Sequence, residues 1–257
     1  MNMSQILSIS RSGLNAFQRD MDVVSNNLAN VDTLGYKDKR TTFQELLNNG
    51  TNANEVGLSQ NAGNIAINAG LNVQQVNENQ TQGAFKETGG IYDLAIDGAG
   101  YFGVRDGSGN LYLTRDGSFR RDADGNLVTG KGMKVEVQSD VPTSQWPKEG
   151  DVSVSASGDV YIGNIRMGRI LMFRPVNSTD MNDIGNNLYR CDGQMLSSSN
   201  GTAGFGQINQ GFVEMSNVDV ADTMSRMIIT QRAYQMNSKA LQATDEMLQT
   251  INKFTEQ

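Results

Sequence analysis

The sequence predicts an α+β protein in which long helices at the two chain ends pair as a coiled-coil-like domain and an all-β domain is inserted between them. Three observations predict it. Apolar residues recur at heptad spacing near the N-terminus, a two-sided helical pattern closes the chain, and short alternating runs broken by glycine turns fill the middle.

In the first helix, Met3, Leu7, Ser10, Leu14, Phe17, Met21, Val24, Leu28 and Val31 alternate at intervals of four and three, and eight of these nine are apolar. That is the seam of a helix lying along another helix. Ser4 is placed to cap it and Gly35 to stop it. Gly13 costs about 1 kcal/mol inside a helix, but its missing side chain lets a neighbour come close.

The last helix is expected over 218–254, with Asp219 or Asn217 as its cap and Asp222 in its first turn. One stripe holds Val220, Met224, Met227, Tyr234, Leu241 and Leu248. A second holds Ile229, Ala233, Met236, Ala240, Ala243, Met247, Thr250 and Phe254. One apolar face suits a surface helix, whereas two imply neighbours on both sides.

Between the first helix and the β zone, residues 48–82 are rich in Asn, Gln and Gly and nearly free of charge. The stretch is too long for an ordinary loop. It is expected to be an extended linker, or to become ordered against other chains. The β zone has runs such as Asp93–Ile96, Tyr101–Val104, Asn110–Leu113, Asp159–Ile162 and Arg169–Phe173. Turns at Asp106–Gly107, Asp116–Gly117, Asp124–Asn126 and Ser157–Asp159 separate its runs. The expected division is therefore a discontinuous helical domain, 1–35 with 216–257, a linker or extended segment, 36–80, and a β-rich domain, 81–215.

Composition narrows the function. The 257 residues carry a net charge of −7, which argues against nucleic-acid binding. With no histidine, the commonest general base and metal ligand is missing, and the single Cys191 permits no internal disulfide. No run approaches the length of a membrane span, and Met1–Ile6 lacks the features of a secretory signal. The chain is expected to remain in the cytoplasm or to leave by a route without a cleaved signal. Gly98, Gly100 and Gly103 match a dinucleotide fingerprint, but Val104 to Gly107 reads as strand and turn rather than helix. Asp122, Asp124 and Asn126 begin like a calcium loop, but Leu127 and Met133 stand where it needs Gly and an acid. No catalytic, cofactor or metal residue is predicted, and no enzymatic activity.

Ser12–Leu14, Met21–Val23 and Ser25–Lys37 resemble the N-terminal signature of the flagellar rod and hook proteins. Ser216–Val220, Thr230–Lys239 and Asp245–Leu248 resemble their C-terminal signature, and Gln82–Gly89, Asp93–Phe102, Thr114–Phe119 and Gly125–Thr129 are similar to rod members. The resemblance implies a helical homopolymer. Terminal helices pack around a central channel, the β domain lies outside, and the tube carries torque from motor to hook. Implied partners are further copies of the chain, adjacent proximal-rod and hook subunits, the surrounding basal-body rings and the flagellar type III export apparatus, with no small-molecule substrate or cofactor. A proximal-rod or hook subunit of the same axial family is one alternative, and a secreted, monomeric β-rich binding protein is the alternative from another class.

For the assembly interface, the stripes place Leu14, Phe17, Met21, Val24 and Leu28 against Met227, Tyr234, Met236, Leu241 and Met247. Asn26, Asn27 and Asn30, with Gln231, Arg232 and Asn237, are expected to supply the hydrogen bonds that set register.

Overall fold

The computed structural model describes residues 3–48, 67–139, 146–147, 151–201 and 204–255. They divide into two compact units, one from Met1–Ala29, Asp38–Asn79 and Asp219–Gln257, the other from Asn30–Lys37 and Gln80–Val218. The class is α+β.

The first unit holds helices α1 (Met3–Ala29) and α2 (Val220–Thr255) with strands β1 (Lys39–Asn48) and β2 (Ile67–Glu78). At about 1.5 Å per residue the helices reach roughly 40 and 54 Å. Asp219 is the cap of α2: its Oδ1 accepts the Ala221 and Asp222 N–H groups at 2.8 and 3.1 Å. The first helix ends at Ala29, before the expected stop at Gly35, because Asn30 and Thr33 close a turn. The Thr33 N–H donates to Asn30 O and its hydroxyl to Asn30 Oδ1, both at 3.1 Å. Strands β1 and β2 pair antiparallel from Lys39–Glu78 to Asn48–Ile67. They flank the Asn/Gln/Gly-rich stretch, whose centre, 49–66, lies outside the described residues.

The second unit is β throughout. Strand β3 (Phe85–Glu87) pairs with β19 (Phe212–Glu214), and β4 (Leu94–Asp97) with β18 (Gln207–Gln210). A nine-stranded sheet runs β15 (Met181–Asp183), β16 (Leu188–Cys191), β6 (Leu111–Thr114), β5 (Tyr101–Arg105), β9 (Lys134–Val135), β8 (Leu127–Thr129) and β7 (Phe119–Arg121). It is completed by β14 (Met172–Pro175) beside β5 and β17 (Met195–Ser197) beside β14. A four-stranded sheet runs β10 (Val137–Ser139), β13 (Ile165–Ile170), β12 (Asp159–Ile162) and β11 (Val152–Val154). Leu94, Phe102, Val104, Val160, Ile170 and Ile208 form one buried cluster drawn from both sheets and the β4–β18 ribbon. Phe102 and Phe119 meet edge to face at 5.0 Å.

Four hairpins close in the same way, at Asp106–Asn110, Asp122–Asn126, Thr129–Met133 and Ser155–Asp159. In each, the first residue's N–H donates to the fifth residue's carbonyl and the fourth residue's N–H returns to the first residue's carbonyl. The fifth N–H bonds the first side chain. The fourth residue is always glycine in the left-handed region, as with Gly125 at φ +88°. Asp116–Gly117, read as another hairpin turn, is different. It leads from β6 to β7, which do not pair, and its Gly117 carbonyl accepts the Leu94 N–H at 3.0 Å. A side chain on Gly117 would overlap Leu94 O. Likewise Gly103 opens no helix: it lies in β5, and a Cβ there would strike the Phe173 ring.

One acid–base feature sets a stability limit. Arg169 donates to Asp159 Oδ1 at 2.8 Å, Arg166 donates to the same oxygen at 3.0 Å, and Ser157 donates to Oδ2. Chiefly through the Arg169 hydrogen bond, which outweighs desolvation, the Asp159 carboxyl is held at about 2 instead of 3.8. Because the folded value is the lower one, the stabilisation is full above about 3.8 and disappears as pH falls through about 2. We expect Asp159→Asn to lower the melting temperature at neutral pH and to flatten the acid limb across that window, as read by thermal melts at stepped pH.

Candidate assembly interface

Along α1 the buried line is Ser10, Gly13, Ala16, Asp20, Val24 and Asn27. It lies beside the apolar heptad and is built of small or polar residues. Of the heptad positions proposed for contact, Val24 is buried while Leu14, Phe17, Met21 and Leu28 are half-buried. Phe17 packs against Phe43 of β1, with ring centroids 6.0 Å apart. Helix α1 therefore has two neighbours, α2 and the β1–β2 hairpin.

On α2, Thr223, Thr230, Asn237 and Thr244 recur every seven residues. The three threonines are buried and Asn237 is half-buried. Thr223 and Thr244 donate their hydroxyls to carbonyls of Asp219 and Ala240, four residues back. Thr230 instead reaches across to Asp20 Oδ2 at 2.6 Å, and Thr41 of β1 donates to Asp20 Oδ1. One carboxylate thus joins α1, β1 and α2. Asn237 Nδ2 donates to Ser10 O at 3.0 Å. This crossing needs Gly13, since a Cβ there would lie 2.5 Å from Asn237 Nδ2. Met227, Tyr234 and Leu241 flank the line half-buried. Met236 and Met247 lie elsewhere, on the other stripe with Ile229, and are 66%, 60% and 66% exposed, respectively.

The amides divide too. Asn27, only 1% exposed, donates from Nδ2 to Asp38 Oδ1 (2.6 Å) and Lys39 O (2.7 Å), and accepts the Lys39 N–H at 3.0 Å. Its side chain matches the donor and the acceptor of the Lys39 peptide groups and so starts β1. Asn26 donates to Asp22 O of its own helix, and Asn30 belongs to the terminating turn. Gln231 and Arg232 are exposed.

Sequence reasoning passed over Asp20 and Thr230 because it followed apolar residues, and over Ala16 because on α1 it followed the heptad of large ones. The signal that would have found α2's inward line is the strict seven-residue recurrence of Thr223, Thr230, Asn237 and Thr244. Among the described residues, no group of three His, Cys, Asp or Glu side chains is placed to hold a metal.

Removing the Thr230 donor leaves a buried carboxylate short of a partner, at about 1–3 kcal/mol. Thr230→Val is expected to lower the denaturation midpoint of the helical signal, and Gly13→Leu to lower it as well, through overpacking that costs about 1–3 kcal/mol of stability. Denaturant titration followed by circular dichroism checks both.

Comparison with known proteins places the chain in a family. Residues 7–37 match the family described as flagella basal body rod protein, 95–162 match the flagellar hook protein FlgE/F/G D1 domain, and 209–254 match the flagellar basal body rod FlgEFG protein C-terminal region. The flagellar basal-body rod protein FlgG of Buchnera aphidicola subsp. Acyrthosiphon pisum is 35% identical over 96% of this chain and 98% of its own. FlgG of Bacillus subtilis is 36% identical over 93% and 95%. The flagellar basal-body rod protein FlgF of Caulobacter vibrioides is 33% identical over 95% of each. The chain belongs to the flagellar basal-body rod protein family.

Proposed function

We propose that the chain is an axial structural subunit of the flagellar basal body, in the distal rod, and that it polymerises into a helical tube. The tube encloses the export channel and transmits torque from motor to hook. It crosses the envelope outside the cytoplasmic membrane, and its subunits leave through the flagellar export apparatus without a cleaved signal. Its partners are copies of itself, adjacent proximal-rod and hook subunits and the surrounding rings. No catalysis is part of the role.

The observation that carries this reading is the second stripe of α2. The threonine line of that helix is turned to α1, while Ile229, Met236 and Met247 remain exposed. Each fully buried large apolar side chain contributes roughly 1.5–3 kcal/mol, so a further copy lying on this stripe is strongly favoured. A heterologous contact that does not close on itself generates a helix of subunits. Flexible methionines suit contacts that are not identical around a tube. In this account the terminal helices are weakly ordered in the free subunit and gain their order on assembly.

Similarity to a FlgF protein favours a second reading, a proximal-rod subunit of the same family. Complementation separates the two: the gene is expected to restore swimming to a strain lacking its distal-rod protein and not to one lacking a proximal-rod protein. Met236→Glu is expected to abolish rod assembly and swimming while leaving the near-ultraviolet circular dichroism of the β unit unchanged. Normal swimming by that variant would remove the stripe from the assembly account.

A further inference from the structure

At the β unit's end of the chain passages, three charged side chains are buried together. Lys37 Nζ lies 2.6 Å from Glu214 Oε1, with the two side chains 1% and 0% exposed. Lys37 also donates to Thr81 O at 2.8 Å. Arg115 donates from Nη1 to Glu214 Oε2 at 3.4 Å and from Nη2 to Gly98 O at 2.8 Å, and the Gly83 N–H donates to Glu214 Oε1 at 3.0 Å.

These residues sit where the chain enters and leaves the unit. The chain changes unit four times, after Ala29, Lys37, Asn79 and Val218. The side chain of Lys37 ties the second of these passages to the third, at Thr81, and to the fourth, at Glu214. Backbone bonds repeat the lacing: Gly35 N–H to Glu214 O (2.8 Å), Met215 N–H to Ala84 O (2.9 Å) and Asn217 N–H to Tyr36 O (3.3 Å). Asn217 Nδ2 adds a bond to Thr81 O at 2.8 Å.

The cluster is poorly arranged for stability alone. It holds two cations and one anion, and Arg115 Nε is buried without a hydrogen-bond partner. Well-packed apolar residues of similar volume often match or exceed a buried charge cluster in stability. Charged hydrogen bonds supply direction, which apolar packing does not.

We propose that Lys37, Glu214 and Arg115 are positioning residues that hold the last three of the four chain passages in one register, so that force carried along the chain between the units is shared among them. The force-sharing role rests on the rod reading; the positioning role does not.

The test is the full chain carrying Lys37→Met, Arg115→Met and Glu214→Leu. The melting of the β unit is expected to be unchanged. The Gly35, Met215 and Asn217 amides, whose own partners are backbone carbonyls, are expected to exchange about tenfold faster with solvent, with no change in β5. A second variant, Lys37→Arg alone, keeps the charge and its donors and is expected to retain the wild-type protection. Unchanged exchange at the three amides overturns the proposal. So does earlier melting with faster exchange throughout the core, which makes the cluster an ordinary stabiliser. In a swimming strain, the triple variant is expected to lose at least half its speed relative to wild type in viscous medium and to match it in dilute medium. Equal speeds in both overturn the load-sharing role. A wild-type chain that supports no swimming overturns the rod reading instead, leaving the exchange result to decide the positioning role.

Discussion

The Asp20 carboxylate, bonded by the hydroxyls of Thr41 and Thr230, determines how the helical unit is put together. Apolar side chains would let two helices slide and rotate against each other at little cost, whereas a buried acceptor with two named donors admits one rotation. With Asn237 on the Ser10 carbonyl two turns away along α2, the bond fixes the Thr223, Thr230, Asn237 and Thr244 line inward. It thereby also fixes which face of α2 is left outward, the one carrying Ile229, Met236 and Met247. Directional bonds inside and uncovered apolar surface outside are two consequences of a single choice of rotation. The inner line sets the geometry of the helical unit, and in the proposed assembly the outer stripe supplies the driving force for adding the next copy.

Much of this fold was legible in the sequence. The β runs at Tyr101–Val104 and Asp159–Ile162 are strands because their turn chemistry is explicit: an Asp or Ser that accepts the return N–H, followed by glycine in the left-handed region. The paired strands β1 and β2 were not legible as strands. Their sequence is polar and rich in Asn and Gln, without the regular alternation that marks a half-buried strand, and Asn27 starts the pair from another element. The end of α1 was misplaced for a related reason. Gly35 is at φ +68°, as a helix stop often is, but it serves a packed turn in which a Cβ would meet the Arg115 backbone, after the helix has already ended.

The candidate interface was less legible. Counting apolar residues found two stripes on α2, and the structure gives their neighbourhoods different fates. Met227, Tyr234 and Leu241 flank the contact with α1, whereas Met236 and Met247 stay exposed. The sequence marks Gly13 for a close approach and Asn237 for a register-setting bond, but Asp20 and Thr230, which carry the central bond, read as gaps in an apolar pattern. Lys37 and Glu214 escaped for another reason: they are 177 residues apart, and nothing local marks either as buried.

Oxidative footprinting of methionines tests the central claim most directly, because each methionine reports its own exposure. In the free subunit, Met236 and Met247 are predicted to react readily while Met172, fully buried in the β unit, is protected. In the polymer, Met236 and Met247 are predicted to become as protected as Met172. Equal reactivity of Met236 and Met247 in the free and polymerised states would contradict the account, since some other surface would then hold the subunits together.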